Sequence, residues 1–75
     1  MKNEIRRILA GQTDNISFVE KGDRLLVNLD CYAIAGYAAE EILDLARKNN
    51  RGCVFSIQTI DDPRLQITLW EPAQI

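Results

Sequence analysis

One long run of helical period, Ala33 to Asn49, stands between two pairs of strand-like runs, and this order constrains the fold more than any single motif. On a wheel at about 100° per residue, Ile34, Ala35, Ala38, Ala39, Ile42, Leu43, Leu45 and Ala46 share one half. Tyr37, Glu40, Glu41, Asp44, Arg47 and Lys48 share the other. Alanines on the apolar half let the helix sit close to a sheet. Gly36 weakens the first turn, so the helix begins either at Ala33 or only near Tyr37. Asp30, or a residue shortly after it, is the expected cap. Asn49-Asn50-Arg51-Gly52 ends the helix, because Asn and Gly tolerate the left-handed conformation there.

The flanking runs alternate with period two. Ile16–Glu20 and Arg24–Asp30 form the first pair, joined by a tight turn at Lys21-Gly22-Asp23. Cys53–Ile60 and Leu65–Trp70 form the second, joined at Asp61-Asp62-Pro63-Arg64, where Pro63 fixes φ. Residues 3–10 read as a short helix with Ile5, Ile8 and Leu9 on one side, and residues 71–75 as a loose tail. The expectation is one α+β domain over residues 1–75 in the order α-β-β-α-β-β. Two hairpins form a four-stranded mixed sheet, with the long helix of about residues 33–50 on one face. The short helix either sits beside the long one or covers the opposite face.

Alternation also sorts the strand residues between two faces. In Leu65-Gln66-Ile67-Thr68-Leu69-Trp70, the odd positions are apolar, yet the single tryptophan falls with Gln66 and Thr68. The same phase in the other strands adds Ser17, Val19, Leu26, Asn28, Asp30, Val54, Ser56, Gln58 and Ile60. Only Asp30 in this set is charged. Neutral polar groups pair across an interface without the desolvation cost of a charge. The candidate interface is therefore Val19, Leu26, Val54, Ile60 and Trp70. A symmetric homodimer is the first expectation, since two-fold dimers are the commonest assembly. Another protein is the second, and sheet extension at an edge strand is a further route.

With 75 residues the chain buries only about 60% of its unfolded surface, so its core is thin. Hydrophobic residues at 47% and charged residues at 27% exclude a disordered chain. Nine basic and eleven acidic residues leave a formal charge of −2, which disfavours a duplex-DNA binder. No stretch is long and apolar enough to span a membrane or to act as a signal peptide, so the expected compartment is the cytoplasm. There Cys31 and Cys53 stay reduced, and the parallel placement of their strands sets them too far apart to pair.

No residue pattern supports catalysis, a metal or a cofactor. Histidine is absent, which excludes Ser-His-Asp and Cys-His nucleophiles and histidine metal sites. Glu40, Glu41 and Asp44 read as a solvated helix face with an Asp44–Lys48 pair. Cys53 reads as a core residue. Cys31 precedes the long helix, where a helix end could stabilise a thiolate.

Leu29-Asp30, the helix after them, Gly52 and Asp61-Asp62-Pro63 resemble, over less than half the chain, small sulfur-transfer proteins of the SirA/TusA type. Those proteins open the helix with Cys-Pro-x-Pro. Cys31-Tyr32-Ala33-Ile34 has no proline, and the second helix of that family has no counterpart, so the resemblance implies no activity. The expected role is a small acidic protein-interaction or regulatory module without catalytic activity, of the kind found in bacteria and their mobile elements. The alternatives are a thiol-dependent accessory protein using Cys31 and, third, a nucleic-acid-binding protein.

Overall fold

The expected element order is present in a computed structural model, which describes residues 1–59 and 63–71. The elements are α1 (Lys2–Leu9), β1 (Ile16–Lys21), β2 (Arg24–Leu29), α2 (Gly36–Lys48), β3 (Gly52–Gln58) and β4 (Arg64–Trp70). Ile60, Asp61 and Asp62 lie outside the described residues, as does the tail beyond Glu71. Glu71 itself is tied down: its N–H donates to the Asp23 carbonyl at 3.2 Å, and its carboxylate meets Arg51 at 2.8 Å.

The β1–β2 connection has two residues, with Lys21 opposite Arg24. Gly22 takes φ 59°, a conformation that costs other residues a clash of Cβ with the backbone. At the far end of α2, Asn50 takes φ 55°. The Arg51 N–H then reaches back to the Ala46 carbonyl at 2.8 Å, and the Asn50 N–H to that of Arg47 at 3.1 Å. These bonds satisfy carbonyls that the helix end would otherwise leave unpaired.

The start of α2 departs from expectation. It begins at Gly36 with Ala35 as its N-cap, and no side chain of the cap residue bonds into the first turn. Asp30 does not cap it, being held instead by Arg64 and by the Asn15 amide at 3.4 Å. Gln12, from the α1–β1 connection, fixes the helix start. Its Oε1 accepts from the Ala35 N–H at 2.8 Å, and its Nε2 donates to the Tyr37 hydroxyl at 2.9 Å.

The four strands form one sheet in the order β1-β2-β4-β3, antiparallel throughout. The mixed sheet expected above is corrected in this respect. β2 and β3 do run in the same direction, as a crossover through α2 requires, but β4 lies between them. The physical reason lies in what each strand must bury. The helix side of β4 carries three large aliphatic side chains, Leu65, Ile67 and Leu69, whereas that of β3 opens with the smaller Cys53. The strand with the larger apolar load takes the central position.

Both helices pack on the same side of the sheet. One core joins Ile5 and Leu9 of α1, Ile42 and Ala46 of α2, Val27 and Leu29 of β2, and Leu65, Ile67 and Leu69 of β4. Fully burying one such side chain contributes about 1.5–3 kcal/mol, a large share of the stability of so small a domain. Leu43, placed on the apolar half by the wheel, lies at its margin and is exposed. Toward the β1 edge, Lys2 pairs with Glu20 at 3.1 Å, and the Arg6 guanidinium stands 4.8 Å from the Phe18 ring centroid. The short helix therefore sits beside the long one. Neither helix covers the opposite face of the sheet.

Candidate interaction surface

The register sorts the uncovered face into rows that cross all four strands. Val19, Leu26, Thr68 and Val54 form one row, and Ser17, Asn28, Gln66 and Ser56 the next. Beyond the first lies Lys21, Arg24, Trp70 and Gly52; beyond the second lies Arg64 opposite Gln58. Val19, Leu26, Val54 and Trp70 thus share one surface, because strict alternation holds in every strand. Ile60, the fifth residue expected there, lies outside the described residues. Val54 is 48% exposed and Val19 39%, while Leu26, Thr68 and Trp70 are half-buried by their neighbours.

The polar row is already organised. The Gln66 amide donates to Asn28 Oδ1 at 2.7 Å, and its Oε1 accepts from Gln58 Nε2 at 3.4 Å. Gln58 Nε2 also reaches Ser56 Oγ at 3.3 Å. Side-chain amides held to one another lose less freedom when a partner covers them.

Trp70 is seated on its own sheet. Its cross-strand neighbour is Gly52, and a Cβ added to Gly52 would lie under 3.0 Å from three atoms of the indole. The ring fills the space that a side chain at 52 would occupy, so part of its apolar area is covered within the chain. Gly52, read from sequence as a helix stop, is also this seat. The turn read at residues 61–64 centres the hairpin one to two residues later than the observed register does, so the sequence reading did not set Gly52 opposite Trp70.

One expectation about charge is corrected. Lys21, Arg24 and Arg64 also point to this face, because β1, β2 and β4 reach these residues at their ends. They stand at the margins. The two central rows, of four residues each, carry no charge. At one margin Arg64 bonds Asp30. That hydrogen bond, then the one from Asn15, then the Arg64 charge hold the Asp30 carboxyl below its usual value.

The thiols occupy different settings. Cys31 stands five residues before Gly36, the first residue of α2, in the connection from β2. Its carbonyl accepts from the Leu65 N–H at 2.7 Å, while Cys53 lies opposite Leu69. Four residues of strand separate these positions, about 13 Å along β4, and both thiols are free. Burial pushes the Cys53 thiol up. Asp44 pairs with Arg47 at 3.1 Å rather than with Lys48. Among the described residues no three metal-ligating side chains cluster, and no helix is long and apolar enough to cross a membrane.

Compared with known protein families, curated proteins and solved structures, the chain matches none.

Proposed function

We propose that this chain is a small acidic interaction or regulatory module without catalytic activity, which docks its uncovered sheet face on a protein surface, first of all on a second copy of itself. The observation that carries this reading is the placement of both helices on one side of the sheet. It leaves the apolar row Val19, Leu26, Thr68, Val54 and the neutral amide row open together. A solvated face would be expected to interleave charges with its apolar groups, whereas here the charges stand at the rim, the arrangement of a specific interface. Four strands at about 4.8 Å spacing and six residues at about 3.3 Å rise give roughly 19 by 20 Å in plan. That is about 380 Å² per chain, below the usual size of a stable interface, so a weak, transient contact is expected. Cys31 and Cys53, too far apart to pair with each other, fit a reducing cytoplasm.

Thr68 stands at the centre of the apolar row, between Leu26 and Val54. A carboxylate there stays hydrated in a lone chain and is desolvated in a face-to-face pair. Light scattering over a concentration series tests the reading: Thr68→Glu associates more weakly than wild type. A wild type that stays monomeric and binds no other protein through this face overturns it.

A second reading has its own support. Lys21, Arg24 and Trp70 share one row on an antiparallel sheet face, cations beside an aromatic, as in surfaces that take single-stranded nucleic acid. The net charge of −2 weighs against it. Quenching of Trp70 emission by an oligonucleotide, lost on adding salt, would favour it over protein docking.

A further inference from the structure

We infer that β3 is a second self-association site, at which two copies join edge to edge by antiparallel pairing of β3 with β3. This contact lies beyond the open-face reading and does not depend on it. The two edges of the sheet differ. At the β1 edge, Glu20 and Lys21 lie in the strand, Lys2 pairs with Glu20, and Arg6 covers the Phe18 ring. Charges at an edge strand oppose pairing with another chain, because pairing would desolvate them.

β3 has none of these guards. Gly52-Cys53-Val54-Phe55-Ser56-Ile57-Gln58 contains no charge and no proline, and among the described residues it pairs with β4 alone. Its exposed apolar side chains stand on opposite sides of the sheet. Val54 shares the open side with Thr68, and Ile57 shares the helix side with Leu65. A partner docked on the open face would cover Val54 and leave Ile57 in water. A strand added at the edge flanks both, since its own side chains alternate.

A second copy is the occupant the strand itself specifies. An uncharged strand meets its own copy with no like charges opposed, and two-fold symmetry makes the pairing antiparallel. Full overlap of residues 52–58 places the axis at Phe55. Val54 then faces Ser56 of the second copy, and Ile57 faces Cys53 of the second copy. The product is one continuous eight-stranded sheet with all four helices on one side.

The test uses the full chain. Ile57→Lys puts a charge on the edge while leaving the open face intact. Analytical ultracentrifugation in a Thr68→Glu background, where the open-face contact is removed, should show self-association at least about tenfold weaker with Ile57→Lys than without it, with an unchanged circular dichroism spectrum. In a Cys31→Ser, Ile57→Cys double variant under a mild thiol oxidant, a disulfide should join position 57 to Cys53 of the second copy. Cys31→Ser alone should give no such covalent dimer, and Thr68→Glu should leave the cross-link in place. In the Thr68→Glu background, a folded Ile57→Lys that associates like its parent overturns the inference, as does failure of the Cys31→Ser, Ile57→Cys variant to cross-link. Loss of the cross-link in Thr68→Glu, or protection of β3 amides arising only when a different protein is added, overturns it as well.

Discussion

The indole of Trp70 lies over Gly52, its cross-strand neighbour, and this pair fixes both the end of the β3–β4 hairpin and one margin of the open face. A methyl group at position 52 must displace the ring. Gly52→Ala is expected to cost about 1–3 kcal/mol, as overpacking does, measured by urea denaturation. Trp70 emission should shift toward that of a solvated indole. A variant as stable as wild type would show that the ring does not occupy this seat.

Gln12 connects two segments far apart in sequence. It accepts from the Ala35 N–H and donates to the Tyr37 hydroxyl. Gln12→Ala removes both bonds and leaves the N-cap N–H to water. The expected loss is about 1 kcal/mol. Amide exchange at Ala35 should accelerate more than exchange in the middle of α2, and uniform acceleration would count against a local clamp.

Asp30 gives a pH dependence of known sign. Its carboxyl is held below the ordinary aspartate value by the hydrogen bond from Arg64, then by that from Asn15. A depressed folded-state pKa contributes stability that is complete above the unfolded value and is lost as pH falls through the lower folded value. Denaturation midpoints followed downward from pH 5 should therefore fall below about pH 4, and the fall should be smaller in Asp30→Asn. The group is exposed, so the effect is small. Identical profiles for the two proteins would contradict this account of the Arg64–Asp30 bond.

Cys53 sits half-buried on the helix side of β3, and burial raises its pKa. Iodoacetamide at pH 8 should label it more slowly than free cysteine, and urea should remove the difference. Labelling as fast in the native protein as in urea would place Cys53 at the surface.

Most of the face assignment was legible because alternation is local. Once Leu65, Ile67 and Leu69 are set inward, Gln66, Thr68 and Trp70 must point outward, whatever the neighbours of β4. The hairpin turn at Gly22 and the helix stop at Asn50 were legible for the same reason, since each needs one residue in a particular conformation. Strand order was not local. Placing β4 between β2 and β3 depends on which strand gains most from central burial, and that comparison spans the whole chain. The Gln12 clamp was hidden likewise: nothing near residue 12 marks it as the anchor of a helix starting at Gly36.

The charges at the margin of the surface were misjudged for a smaller reason. Strand ends are the least certain part of a sequence reading. One residue at each end brought Lys21 and Arg64 onto the face, and Arg24 belongs there by the phase of Leu26. The neutral centre survived because it lies in the middle of every strand.

The central claim is that the uncovered face docks on a second copy. Light scattering of wild type beside Thr68→Glu over a concentration series tests it most directly. The expected result is a mass that rises with concentration in wild type and stays below it in Thr68→Glu, which retains the wild-type circular dichroism spectrum and only the edge contact. Equal masses for the two folded proteins at every concentration would contradict it.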